Sequence, residues 1–279
     1  MTNKKPIQWL VVTDLDGTLL NHHDYATDMA LPAINKLQSL NIPIIFNTSK
    51  TFSESVSLQK KLNIQAPFIV ENGSCIYLPK HLYTDINLNE QYQSRDDYWE
   101  IPLGMAHTKI NNILKRIDTP ASCYQLLSAC NAEQAAALTD LSPSQAEQAI
   151  SREFSEPLIW NAGNKELTIF KRQLNGHNLN TLQGGRFLHV LGNCDKGIAL
   201  NKLKEILSTS EKQIKTIALG DSENDAAMLK QSDISIIVNS PSNHQLLNTL
   251  TPTIHSTKDA PEGWAESIYT ALNILKDSQ

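Results

Sequence analysis

The pentapeptide Asp14-Leu15-Asp16-Gly17-Thr18, set directly after the apolar run Trp9-Leu10-Val11-Val12, constrains this chain more than any other feature. The run reads as a short buried strand. At its end, Gly17 lets the backbone turn so that both carboxylates face one crevice, and strand ends of this kind are where open α/β sheets bind ligands. Asp and Gly are also common turn residues, so an ordinary polar turn is the structural alternative. A second acidic strand end, Gly220-Asp221-Ser222-Glu223-Asn224-Asp225, follows the apolar stretch at 214–219. Ser, Asp and Glu there also suit a plain helix start, where they meet free amides and the helix dipole.

Carboxylates gathered in one crevice repel each other. A pair of unit charges ~4 Å apart costs about 4 kcal/mol at an effective dielectric near 20. A divalent cation would remove that cost, and hard oxygen ligands suit magnesium. Two further segments fit an anionic substrate. Thr48-Ser49-Lys50-Thr51 follows a strand expected at 42–46 and precedes a helix, so its hydroxyls and amides could hold phosphoryl oxygens or simply cap that helix. Lys196 opens the helix expected at 196–207, where a cation opposes the dipole. That position suggests a charge to neutralise, against the default of a solvated lysine.

Hydrophobic periodicity places these segments in a fold. Strands at 9–12, 42–46 and 67–70 alternate with helical stripes, Ala30-Ala33-Ile34-Leu37-Leu40 and Phe52-Val56-Gln59-Leu62. The rhythm returns with strands at 214–219 and 234–238 and helices at 225–230, 243–250 and 261–275. This is the pattern of an α/β fold, a doubly wound, Rossmann-like parallel sheet. The middle of the chain lacks the rhythm. Ser142-Pro143-Ser144-Gln145 reads as a capped helix start, and strands are expected at 167–170 and 186–190. The division that follows is core 1–81, inserted α+β unit 82–190, and core 191–279.

Composition removes several function classes. Twenty-four Lys and Arg against 29 Asp and Glu give a net charge of −5 with no basic block, so nucleic acid is not an expected partner. No apolar run suggests a membrane span, and the 7–12 run is too short for a signal peptide. Cys75, Cys123, Cys130 and Cys194 include no Cys-x-x-Cys pair and form neither a zinc ribbon nor a disulfide framework. A soluble cytoplasmic protein is expected.

The ordered set Asp14-x-Asp16-Gly17-Thr18, Thr48, Lys196 and Gly220-Asp221-x-x-Asn224-Asp225 resembles the four motifs of the haloacid dehalogenase superfamily. Asn47-Thr48-Ser49-Lys50-Thr51, Glu71-Asn72-Gly73, Glu156-Pro157-Leu158-Ile159-Trp160 and Gly184-Gly185-Arg186-Phe187-Leu188-His189-Val190 resemble its mannosyl-3-phosphoglycerate phosphatase family. The resemblance implies that Asp14 is the nucleophile and Asp16 the acid and base. It implies that Mg2+ is held by Asp14, the Asp16 backbone carbonyl and Asp221, with Asn224 and Asp225 supporting. Thr48 and Lys196 would bind phosphoryl oxygens, and the insertion would be a substrate-selecting cap. Ser49, Lys50, Glu71, Asn72, Arg186 and His189 would meet the substrate, a phosphorylated sugar-glycerate whose carboxylate Arg186 could grip. A salt bridge for Arg186 and a packing role for His189 are the structural alternatives, and Trp160 reads as core. The implied reaction is hydrolysis of mannosyl- or glucosyl-3-phosphoglycerate. A broader sugar-phosphate phosphatase, a non-catalytic phosphosugar-binding protein and a metal-independent hydrolase stand as rivals.

Overall fold

Apolar residues on both faces of a strand require cover on both sides, and the chain meets that requirement at its centre. In the computed structural model, residues 6–84, 92–184, 186–209 and 211–277 are described. Met1 to Lys5 and Gly185, noted in the sequence, lie outside them. β1 (Ile7–Thr13), β2 (Ile44–Asn47), β3 (Phe68–Val70), β4 (Cys75–Pro79), β5 (Gln93–Arg95) and β6 (Tyr98–Pro102) come from the first part of the chain. β7 (Tyr124–Leu126), β8 (Ser155–Trp160), β9 (Leu179–Gln183) and β10 (Leu188–Gly192) follow. β11 (Gln213–Gly220), β12 (Ile234–Asn239) and β13 (Ile254–Asp259) close the series.

The large sheet runs β13-β12-β11-β1-β2-β3-β4-β6-β5. From β13 to β3 the neighbours are parallel, and β4, β6 and β5 add an antiparallel edge. After β1 the chain winds outward through β2 and β3. After β11, which lies on the other side of β1, it winds the opposite way through β12 and β13. The carboxyl ends of β1 and β11 therefore flank the topological switch point, where such sheets leave a crevice. Register places Thr13 opposite Leu219, so the two acidic segments emerge side by side.

Helices cover this sheet. Leu31–Ser39 buries Ala33, Ile34 and Leu37, while Leu40, expected on the same stripe, falls after the helix and is exposed. Glu262–Asp277 buries Trp264, Ile268, Ala271 and Leu272. The Trp264 indole N–H donates to Thr13 Oγ1 at 3.0 Å, tying the last helix to the end of β1. Lys196–Leu207 buries Ala199, Leu200, Leu203 and Leu207 and packs on the short helix Ala226–Lys230. No helix of the described residues is long and apolar enough to cross a membrane.

The second sheet, β7-β8-β10-β9, is antiparallel. Leu158, Leu188 and Val190 pack with Ile110 and Leu114 of helix His107–Leu114 and with Phe170 and Leu174 of helix Asn164–Asn175. Residues 167–170, expected as a strand, are thus helical. Leu167, Phe170 and Leu174 recur at helical spacing, and this face outweighs the β-favouring look of four residues. The expected helix start at Ser142 is present, with reciprocal Ser142 and Gln145 bonds opening Pro143–Ile150. Ile101 is buried opposite Ile76, so β6 and β5, which fall within the 82–190 segment expected as an insertion, extend the large sheet.

Candidate active site

Of the acidic residues at the two strand ends, Asp14, Asp221 and Asp225 arrive in one crevice, while Glu223 is exposed. Past β1 the Asp14 N–H donates to Leu219 O at 2.9 Å, and the amides of Thr18, Leu19 and Leu20 all donate to Leu15 O, closing the turn. Gly17 makes this possible. Its φ is +77°, and a Cβ there would stand 2.8 Å from Asp221 Oδ2. Thr18 Oγ1 lies 3.2 Å from Asp221 Oδ1 and 3.5 Å from Asp14 Oδ2, joining the two carboxylates. Asp14, Asp221 and Asp225 are all buried, and each offers an oxygen within 4.8 Å of the others.

Lys196 enters from the opposite wall. Its Nζ stands 2.5 Å from Asp14 Oδ1 and 2.6 Å from Asp225 Oδ1. Asn47 Nδ2 donates to Lys196 O at 2.9 Å. The left-handed Glu71–Gly73 turn abuts the helix start so closely that a Cβ on Gly73 would lie 2.1 Å from Asp195 O. Three carboxylates, if all ionised, against one ammonium would leave the pocket with two negative charges to balance. Burial raises Asp14 to about 7 although Lys196 pulls it down, and Asp225 adds to the rise. Burial, then Asp225 and Asp14, pushes Asp221 well above the carboxylate range. Burial alone would lower Lys196; Asp14 and Asp225 outweigh it and raise it. A divalent cation fits both the deficit and the hard oxygen donors.

The carboxylates are not equivalent. Asp225 is spent, with Oδ1 on Lys196 and Oδ2 accepting from the amides of Asp221 and Ser222 at 3.0 and 3.1 Å. Asp14 and Asp221 keep oxygens free for a cation. Asn224 accepts from Ser222 Oγ and donates to Asn72 Oδ1 at 3.2 Å, buttressing the loop.

Asp16 stands at the mouth, its side chain 36% exposed, with Lys50 Nζ at 2.9 Å. Lys50 also reaches Glu54 at 3.5 Å and lies 5.0 Å over the Tyr25 ring. Burial alone would lower Lys50; Asp16 and Glu54 overcome it and hold its protonation firmly. In the 48–51 loop, the Thr48 N–H donates to Ile69 O, Thr48 O accepts from Asn72 N, and Thr48 Oγ1 accepts from Lys50 N at 3.1 Å. Thr51 closes the loop as a helix cap with Glu54.

The residues expected to meet substrate separate into groups. Lys50 reaches Asp16, Ser49 O accepts from Arg152, and the buried Asn72 accepts from Asn224. Glu71 is buried with its carboxylate consumed by the chain at 153–155. His189 is buried in β10, and Arg186 pairs with Asp140 at 2.5 Å with its side chain 58% exposed. Trp160 packs with Tyr124 and Phe170. Sequence reasoning passed over two contributors. Thr18 stands inside the first motif, and Arg152, whose Nη1 donates to Ser49 O at 3.0 Å, belongs to no local pattern.

A lysine held among buried carboxylates at the switch point of a doubly wound sheet defines an α/β enzyme that handles anionic substrates. The chain belongs to the haloacid dehalogenase-like hydrolases, which it matches over residues 11–263. It is 34% identical over 269 residues to a glucosyl-3-phosphoglycerate/mannosyl-3-phosphoglycerate phosphatase of Persephonella marina, covering 96% of this chain and 98% of that one. It is 34% identical over 262 residues to the enzyme of the same name from Methanococcoides burtonii, covering 93% and 95%. A haloacid dehalogenase-like hydrolase from B. subtilis shares the fold, with TM-score 0.64, 18% identity and coverage of 93% and 98%. So does the sucrose-phosphatase of a Synechocystis species, solved with sucrose and phosphate, with TM-score 0.60, 16% identity and coverage of 94% and 97%.

Proposed function

We propose that this protein is a magnesium-dependent, cytoplasmic phosphatase that hydrolyses mannosyl- or glucosyl-3-phosphoglycerate to glycosylglycerate and phosphate. The observation that carries the reading is Asp14, buried at the end of β1 with one oxygen on Lys196 and the other free of strong partners. Its likeness along nearly its whole length to phosphatases of that name supports the choice of substrate.

Asp14 Oδ2 attacks phosphorus while the bond to the glycerate oxygen breaks, and Asp16 gives its proton to that departing oxygen. The resulting aspartyl-phosphate is opened by water attacking phosphorus. Asp16 takes the water proton, and the Asp14 carboxylate is regenerated with inorganic phosphate. Lys196 and Thr48 hold phosphoryl oxygens, so the transferring group is stabilised mainly by fixed charge. Asp14, the Asp16 carbonyl and Asp221 would hold the magnesium ion, with Asn224 and Asp225 bracing them. When bound, that ion supplies positive charge against the carboxylates and the phosphoryl group. Ser49, Lys50 and Asn72 face the substrate, Arg186 and His189 serve it from the smaller unit, and Glu71 fixes the chain between the two. That smaller unit is the cap, which selects the substrate and excludes water on closing.

Initial rates on mannosyl-3-phosphoglycerate, glucosyl-3-phosphoglycerate, 3-phosphoglycerate and hexose 6-phosphates test the reading. A kcat/KM roughly tenfold or more higher on the glycosylated phosphoglycerates, abolished by EDTA and restored by magnesium, is expected. Equal values across the panel would contradict the substrate, and undiminished turnover in EDTA would contradict the metal.

A further inference from the structure

Chain 151–154 leads from helix Pro143–Ile150 into β8 and passes over the 48–51 loop. Its backbone is fixed from below by Glu71. Oε1 accepts from Glu153 N at 2.9 Å, and Oε2 accepts from Phe154 N at 3.1 Å and from Ser155 Oγ at 2.6 Å. This anchoring sends the Arg152 side chain down onto the loop. Arg152 Nη1 donates to Ser49 O and to Ser155 Oγ, both at 3.0 Å. Glu71 Oε2 is 3.9 Å away, but its lone pairs are already taken by the anchored chain.

Arg152 is left incompletely matched. Its side chain is only 8% exposed, and its Nε is buried without a hydrogen-bond partner. A buried donor left unpaired is costly, and more so when it is charged. Two neighbours share the condition: His189 Nδ1 and Asn72 Nδ2 are also buried and unpartnered. His189 is held neutral, lowered to about 3 by burial and then by the charge of Arg152. Asn72 follows Glu71 directly and donates its backbone N–H to Thr48 O at 2.9 Å. A guanidinium and a carboxamide thus border the 48–51 loop, and the neutral imidazole of His189 lies close enough to Arg152 to feel its charge. A flat anion with several acceptor lone pairs complements that set, and the fork of an arginine matches a carboxylate.

We propose that Arg152 is the specificity-determining residue that takes the carboxylate of the substrate's glycerate moiety, with Asn72 and His189 as flanking donors. The proposal rests on the phosphoglycerate reading above and deepens it. It moves the carboxylate contact from Arg186, which faces solvent and Asp140, to a buried arginine that touches the loop itself.

The test uses discrimination between two small phosphomonoesters that differ at this group, 3-phosphoglycerate and glycerol 3-phosphate. The full-length wild type with magnesium is expected to favour 3-phosphoglycerate by roughly tenfold or more in kcat/KM. Arg152→Gln should bring that ratio close to one through KM for the carboxylated substrate. Arg152→Lys keeps the charge and guards against a folding defect. It should retain an intermediate ratio, with a thermal midpoint near that of wild type. A ratio preserved in Arg152→Gln, an equal loss on both substrates, or a ratio lost instead in Arg186→Gln would overturn the assignment. A wild-type ratio near one would contradict the phosphoglycerate reading itself, separately from what the variants report.

Discussion

Asp14 and Lys196 form a buried ion pair of 2.5 Å across the crevice between β1 and the helix that returns the chain to the core. The ammonium is fully enclosed and shared with Asp225, so it cannot be replaced by water. Breaking a buried pair by removing one partner costs about 3–5 kcal/mol. Lys196→Met should destabilise the protein by about that amount in urea unfolding. It should also lower kcat by roughly 10²–10³-fold, the usual loss for one preorganised donor to the reacting group. A variant with wild-type stability would show that the pair is not the keystone of the pocket.

The metal-free pocket should make stability depend on pH in a particular direction. Asp14 is raised to about 7 from 3.8, chiefly by burial, and Asp221 is raised as well. A carboxyl that binds its proton more tightly when folded contributes stability that is complete below the unfolded value and lost as pH rises through the folded one. In EDTA, the Asp14 contribution should decline between about pH 4 and pH 7, and that of Asp221 as pH rises above the ordinary carboxylate range. Asp221→Asn should flatten that decline, and added magnesium should offset it in the wild type. Thermal midpoints across this range measure both effects; identical profiles for variant and wild type would contradict the charge deficit.

Gly17 tests the turn that aligns the two strand ends. Alanine at φ +77° carries a left-handed penalty of roughly 1–2 kcal/mol. Its Cβ would also press on Asp221 Oδ2. Gly17→Ala should therefore lose magnesium affinity by more than its stability loss accounts for, as calorimetric titration would reveal. Unchanged affinity would mean that Asp221 does not face the ion.

Glu71 was expected to meet substrate, yet its carboxylate is occupied by the 153–155 chain. Glu71→Gln replaces one acceptor oxygen with a donor against those donors, at a cost of about 1–3 kcal/mol. Hydrogen exchange at Glu153 and Phe154 should accelerate. Unaltered exchange there would return Glu71 to the substrate's side.

The acidic residues were legible because Asp14 and Asp221 each end an apolar strand, and parallel pairing of β1 with β11 then sets them side by side. Lys196 was legible through its awkward place at a helix start. The capped helix at Ser142 was legible because its capping is local chemistry. Other features depend on partners far along the chain. Four residues around Ile169 cannot declare their helix until Leu174 supplies the next turn. β5 and β6 are short and half-polar, and only pairing with β4 assigns them to the large sheet. Arg152 stands in no motif; the anchoring of its neighbours by Glu71, fixed across 83 residues of sequence from Phe154, gives it its direction.

Covalent transfer of phosphorus to Asp14 is the centre of the account, and borohydride trapping reads it most directly. Enzyme quenched during turnover of a phosphomonoester and reduced with borohydride should yield homoserine at position 14 by peptide mass spectrometry. The yield should vanish in Asp14→Asn and in enzyme without substrate. Steady turnover with Asp14 unmodified, or reduction at another carboxylate, would contradict the account.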